Sequence, residues 1–242
     1  MARIGIIGSE GRMGKALAEA VTAAGHTLSG GIDKGGDPLA LAQASDVLVD
    51  FSSPHALEAN LDAAMAAGVP IVIGTTGLEE RHHFLVDHAA DSIAVLQTGN
   101  TSLGVTLLAH LVQEAASRLG EDWDIEIVET HHRMKVDAPS GTALLLGEAA
   151  ARGRRTELAA SKVSGRDGIT GAREAGTIGF AALRGGTVAG DHTVHFLADN
   201  ERLSFSHLAE NRGIFAKGAV RAAGWLLGKP AGRYTMPQVL DL

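Results

Sequence analysis

The sequence predicts an α/β protein: a doubly wound parallel sheet followed by a second, α+β domain. From the N-terminus, short β-branched runs alternate with alanine-rich stretches, the pattern of successive βα units. After residue 153 the texture turns polar and glycine-punctuated. Three strand-like runs then follow in a row, "GTIGFAAL", "HTVHFLA" and "RLSFSHLA", which mark an antiparallel or mixed sheet. The length of 242 residues exceeds the usual single domain of roughly 100–200 and allows one large or two modest cores.

Each element has a local reason. Arg3 to Ile7 is an apolar strand, and Arg12 to Ala24 a helix closed by Gly25. "HTLSGGID" and "DVLVDF" are the second and third strands. Pro54 to Ala67 reads as one helix, with Ser53 as its N-cap and Gly68 just past its end. "PIVIGTTG" and "SIAVLQTGN" continue the series, with "LEERHHFLVDHAA" as a helix between them and His82 and His83 on its solvated face. A long helix from Ser102 towards Leu119 precedes the alternating strand "DWDIEIVET", and a helix through "ALLLGEAAA" comes next. The final helix, "GIFAKGAVRAAGWLLG", ends at Gly228 before Pro230. Periodicity leaves open which domain that helix packs on.

Composition excludes several classes of function. The formal net charge is −7, with both signs interspersed, which argues against nucleic acid as a partner. There are no cysteines, hence no disulfide, thiolate nucleophile or Cys-ligated metal, and a cytoplasmic setting fits. "ARIGIIG" after Met1 is too short and glycine-broken for a signal segment, and no run approaches the length of a membrane span. The expectation is a soluble, untargeted protein without a membrane partner.

"IGIIGSEGRMGKAL" sets Gly8, Gly11 and Gly14 between a strand and a helix, where glycines permit a tight turn and the helix start offers N–H groups to a pyrophosphate. The spacing is G-x-x-G-x-x-G rather than G-x-G-x-x-G, so a turn serving only strand-to-helix packing is an equal alternative for the motif alone. Asp33 closes the second strand 33 − 8 = 25 positions after the first glycine, near the roughly 20 expected of an acid that receives ribose hydroxyls. An acid there favours NAD, whereas Lys34, and Arg12 with it, suits a 2′-phosphate. The expected cofactor is therefore NADH, NADPH or both. "GTTG" (Gly74 to Gly77) and "TGNTS" (Thr98 to Ser102) follow the fourth and fifth strands, at the edge where such sheets bind ligands.

"ETHHRMKVDAPSGTALLLG" raises three possibilities: a metal site, a catalytic acid with an anion cradle, or a polar turn. Strand alternation sends His131 and His132 to opposite faces, which makes a poor metal pair, and no H-E-x-x-H accompanies them. No metal is expected. Ser140, Gly141 and Thr142 stand where the next helix begins, presenting hydroxyls and N–H groups to an anion, and Lys135 adds a positive charge. Ordinary N-capping by Ser140 and Thr142, a solvated Lys135 and a backbone-bonded His131 are the competing readings.

Together, "GSEGRMG", "GTTG", "GNTSLGV" and above all "ETHHRMKVDAPSGTA" resemble the 4-hydroxy-tetrahydrodipicolinate reductases (dihydrodipicolinate reductases) of bacterial and plant lysine biosynthesis. The resemblance extends through "GTIGFAALRGGTVAGDHTVHF" and "NRGIFAKGAVRAAGWL". It implies a Rossmann-like dinucleotide-binding domain of residues 1–102 and 212–242, completed by the C-terminal helix. Residues 103–211 would be an inserted α+β domain for substrate binding and tetramerisation. It implies cofactor contacts from Gly8, Ser9, Glu10, Gly11, Arg12, Met13, Asp33, Lys34, Gly74, Thr75, Thr76, Thr98, Gly99, Asn100 and Thr101, the last where an aromatic residue is common. His131 and Lys135 would be catalytic, and His132, Gly141 and Thr142 would bind a small cyclic dicarboxylate together with Ser140. The implied reaction is NAD(P)H-dependent reduction with loss of water in a cytoplasmic homotetramer. The alternatives are an NAD(P)-dependent dehydrogenase of a related small acid such as aspartate, and a non-catalytic NAD(P)-binding redox sensor.

Overall fold

Strands that read as unbroken apolar runs must be covered on both faces, and those of the N-terminal region are. The computed structural model describes residues 1–242 and divides into two compact units, residues 1–103 with 212–242, and residues 104–211. In chain order the first unit begins β1 (Arg3–Ile7), α1 (Arg12–Ala23), β2 (Thr27–Ile32), α2 (Pro38–Ala44), β3 (Val47–Asp50), α3 (Leu57–Ala67), β4 (Ile71–Ile73), α4 (Glu80–Ala90) and β5 (Ala94–Gln97). Local chemistry explains α2, which the sequence pattern did not reveal. Asp37 accepts from the amides of Leu39 and Ala40 at 2.9 and 3.1 Å, and Pro38 occupies the first turn.

Two expectations are corrected. Pro54 to Ala67 is not one helix: Pro54–Ala56 forms a 3₁₀ turn, Ser53 makes no side-chain cap, and α3 starts only at Leu57. His82 does not lie on a solvated face. It is buried, and its Nδ1 accepts the Glu79 amide at 2.9 Å, closing a reciprocal cap at the start of α4. His83 instead lies near the surface, 3.1 Å from the Arg233 guanidinium.

The second unit contains α5 (Leu103–Arg118) from its second residue on, then β6 (Asp124–His131), α6 (Gly141–Gly153), α7 (Leu158–Ser161), β7 (Lys162–Ser164), β8 (Ile178–Arg184), β9 (Gly190–Leu197) and β10 (Arg202–Ala209). Its sheet runs β10-β9-β6-β8-β7 and is mixed, with β6 parallel to β8 and antiparallel to β9. Alternation along β6 buries Ile125 and Ile127, which join Phe180, Val194 and Phe196 against Leu108 and Val112 of α5 and Leu146 of α6.

The chain then returns to the first unit as α8 (Gly213–Leu226), β11 (Gly232–Tyr234) and α9 (Met236–Val239). The six strands run β11-β5-β4-β3-β1-β2, and every pairing is parallel. One face buries Ile4, Ile6, Val49 and Leu96 under α1 and the alanine-rich α8; the other buries Ile7, Leu48, Ile73 and Val95 with Leu57, Leu61 and Val86 of α3 and α4. The packing of α8 on this sheet answers the question periodicity left open. β11 adds an edge strand that the sequence did not suggest.

Candidate active site

All the parallel strands end at one edge, and the loops that leave it are where such a sheet receives a ligand. Gly11 is the N-cap of α1, so no capping side chain covers the first-turn amides. Gly14 lets the helix lie against the preceding turn, since a Cβ there would collide with the Gly8 carbonyl. Beside this turn, a cavity of 660 Å³ is lined by Gly8, Gly11, Asp33, Lys34, Ser52 and Asn60, among others. A second cavity, of 350 Å³, is walled by Met13, Gly74, Thr75, Thr76, Thr98, Gly99, Asn100 and Thr101, together with Phe51, Ser52, Arg212 and Phe215. Phe51 and Ser52 belong to both cavities.

The expected cofactor residues have different roles within this edge. Asp33 Oδ2 accepts from the Ser9 hydroxyl and the Glu10 amide, each at 2.8 Å, so the carboxylate ties the glycine turn to the end of β2. Arg12 and Lys34 are exposed. Thr101 is buried, and its hydroxyl donates to the Phe215 carbonyl of α8 at 2.7 Å. The hydroxyl is therefore committed to the fold, although the residue lines the smaller cavity.

Asp50 carries a role the sequence reading missed. It is wholly buried at the end of β3, where it accepts from the Ser52 amide and hydroxyl at 2.8 and 2.6 Å, from Asn60 Nδ2 at 3.0 Å and from the Thr75 hydroxyl at 3.2 Å. Its partners line one or both cavities. A buried carboxylate satisfied in this way fixes the loops it holds. The available signal was the acid closing the apolar run "VLVD".

In the second unit, alternation along β6 places Glu129 and His131 on the buried face. His131 Nδ1 lies 2.5 Å from Glu129 Oε2. Arg184, at the end of β8, donates Nη1 to Oε2 and Nη2 to Oε1, both at 2.8 Å, and the Ser140 amide reaches Oε1 at 3.1 Å. Burial favours the neutral acid, but the Arg184 and His131 hydrogen bonds outweigh it and hold the Glu129 carboxyl below its ordinary range. Nη2 of Arg184 also donates to the Asp137 carbonyl at 2.7 Å, which pins the 132–139 loop.

Ser140 caps α6 as expected, accepting from the Ala143 amide at 3.2 Å. Its hydroxyl also lies 2.9 Å from Nε2 of His192, on β9. Both its amide and its hydroxyl are thus engaged within the fold, and Ser140 builds the helix start. Gly141 is exposed at the first helical position, with Thr142 half-buried behind it. His132 is half-buried, held by its amide to the Val188 carbonyl at 2.8 Å. Lys135 is mostly buried and pairs with Asp137 at 2.8 Å. His192, edge-on to His131 with ring centroids 5.0 Å apart, is buried with no partner for its Nδ1. Arg184 and His192 reach Glu129 and Ser140 from other strands, so no local sequence pattern marks them. No group of three or more His, Cys, Asp or Glu side chains is arranged to hold a metal ion.

A parallel sheet with a glycine-capped helix start and adjoining cavities at its carboxyl edge, in a chain that also braces a histidine on a buried carboxylate, defines the class of NAD(P)-binding oxidoreductases. Within that class the chain belongs to the dihydrodipicolinate reductase family. Residues 2–101 match the family model for "Dihydrodipicolinate reductase, N-terminus" and residues 104–240 that for "Dihydrodipicolinate reductase, C-terminus". A 4-hydroxy-tetrahydrodipicolinate reductase of Zymomonas mobilis is 54% identical, covering 99% of this chain and 97% of its own. One from Acidiphilium cryptum is 51% identical, covering 99% and 98%. A dipicolinate-bound dihydrodipicolinate reductase from Paenisporosarcina sp. TG-14 shares the fold with a TM-score of 0.77 at 22% identity, covering 97% of both chains. The redox-sensor and small-acid dehydrogenase readings are not favoured.

Proposed function

We propose that the chain reduces 4-hydroxy-tetrahydrodipicolinate to tetrahydrodipicolinate with loss of water, oxidising NADH or NADPH, in lysine and diaminopimelate biosynthesis. The observation that carries this reading is the conjunction, in one short segment, of a carboxylate-braced His131, Lys135 and the exposed start of α6. A sensor has no use for such a set. A cyclic dicarboxylate does, because it needs a cation and helix N–H groups for its carboxylates and a proton for its ring.

The residues at the sheet edge fit a dinucleotide. The glycine-capped α1 start suits the pyrophosphate, Asp33 the ribose hydroxyls, and Lys34 with Arg12 a 2′-phosphate, so use of both cofactors is part of the proposal. When bound, the nicotinamide supplies the hydride. Gly74 to Thr76 and Thr98 to Thr101 would hold its ring in the smaller cavity, which Met13 also lines.

The chain's own work is binding and proton transfer. Gly141 and Thr142 at the α6 start, with His132 and Lys135, hold the carboxylates. Elimination of water leaves a conjugated ring, and hydride addition sends negative charge towards its nitrogen. His131 and Lys135 are the groups placed to supply the compensating proton. The Lys135 to Asp137 pair must then yield to substrate.

A tetramer is part of the same proposal. It is supported by the outer face of the mixed sheet, where Leu183 and Leu208 are 51% and 66% exposed. A cytoplasmic location goes with it. The test is a coupled assay that supplies the aldol product of pyruvate and aspartate semialdehyde while NAD(P)H absorbance is followed. Substrate-dependent oxidation is expected, and none with either cofactor would sink the assignment.

A further inference from the structure

The buried carboxylate of Glu129 has two oxygens and therefore about four lone-pair directions, and four donors occupy them. Arg184 Nη2 and the Ser140 amide reach Oε1, at 2.8 and 3.1 Å; Arg184 Nη1 and His131 Nδ1 reach Oε2, at 2.8 and 2.5 Å. An ionised carboxylate can only accept, so Nδ1 of His131 must carry the hydrogen in either charge state of the ring. Glu129 is 1% exposed, which keeps competing water away from that bond. The other ring nitrogen faces a different surrounding. Gly190 stands beside it at the start of β9, where a side chain would place its Cβ 2.9 Å from Nε2. Glycine at this position keeps a side chain off Nε2.

We propose that Glu129, clamped by Arg184, is the positioning residue that fixes His131 as the Nδ1–H tautomer, so that Nε2 is the atom which exchanges a proton with the substrate. The same carboxylate sets the start of α6 through the Ser140 amide, which couples the placement of the proton-transfer group to that of the helix end proposed to bind the substrate carboxylate. The inference rests on the reductase reading in assigning the proton exchange to His131. The tautomer and its cause stand on the geometry alone. Neutral glutamine at 129 cannot reproduce the arrangement: it has one acceptor oxygen, and its amide N–H group would face a guanidinium or backbone donor, or would donate to Nδ1 and drive the ring to the Nε2–H form.

The test joins ¹⁵N-imidazole NMR of the full-length protein, with His131 assigned by comparison with His131→Asn, to steady-state kinetics of Glu129→Gln. In the unsubstituted protein at alkaline pH, Nδ1 is expected to be protonated and Nε2 bare. An Nε2–H tautomer there overturns the proposal, whether or not any variant folds. In Glu129→Gln the Nδ1–H signature should be lost and kcat should fall by about 100-fold or more, with KM for NAD(P)H within about twofold. Retained kcat, or a change confined to the substrate KM, overturns the positioning role. Arg184→Lys, which keeps the charge and loses the fork, should give an intermediate kcat. Absence of turnover in the unsubstituted protein would strike the reductase reading and leave the NMR result to decide the tautomer.

Discussion

Arg184 and Glu129 meet through two parallel hydrogen bonds of 2.8 Å, the guanidinium at the end of β8 and the carboxylate buried on neighbouring β6. Fork-on-fork pairing fixes direction as well as distance. Removing the guanidinium leaves a buried carboxylate with its main partner gone, which is the costly way to break such a pair. Because Arg184 is itself partly solvated, Arg184→Met should destabilise the protein by about 2 kcal/mol, read as a lowered urea midpoint. Adding Glu129→Gln to that variant should restore part of the loss, and a double variant less stable than Arg184→Met would contradict the pairing energy.

Asp50 holds the loops that follow β3 and β4. Asp50→Ala strips Ser52, Asn60 and Thr75 of their shared acceptor, and these residues line the two cavities. Fluorescence titration should show NADH and NADPH binding weakened alike, by about tenfold. Unchanged affinity for both would remove Asp50 from the cofactor account.

At Asp33 the two cofactors should part company. A carboxylate suits free ribose hydroxyls and repels a 2′-phosphate, so Asp33→Ala should weaken NADH more than NADPH in kcat/KM. The loss of the Ser9 and Glu10 bonds touches both cofactors equally and sets a common background. An equal effect on both would show that Asp33 serves only the turn.

His192 makes stability depend on pH. Burial first, and then the neighbouring charge of His131, lower it from the usual 6.5 to about 4. Between those values the unfolded chain binds a proton that the folded protein refuses. The contribution is fully present above pH 6.5 and is lost as pH falls towards 4, amounting to about 3 kcal/mol. Glu129, Lys135 and His207 also act on this ring. In His192→Gln the urea midpoint should fall less steeply across that window, and an unaltered slope would contradict the assignment.

Much of this was legible in the sequence because it is local. The βα alternation, the glycine turn and Ser140 at the start of α6 depend on neighbours within a few residues. Glu129 is two positions from His131, so strand periodicity alone places it on the same face, as observed. Arg184 and His192 arrive through strand pairing, which no local pattern encodes. β11 and α9 are three and four residues long, too short for periodicity to register. His82 misled because a histidine accepting the amide of its own N-cap residue looks, in sequence, like any polar helix residue.

The reductase activity and the part Lys135 plays in it are tested together by NAD(P)H oxidation by the unsubstituted protein and by Lys135→Ala, with the pyruvate and aspartate-semialdehyde aldol product formed in the same cuvette. Substrate-dependent turnover is expected in the former. In the latter, turnover should fall by about 100-fold or more with cofactor affinity preserved, since Lys135 belongs to the segment assigned to substrate. Turnover absent from the unsubstituted protein would contradict the reductase assignment, and turnover retained in Lys135→Ala would contradict the role of Lys135.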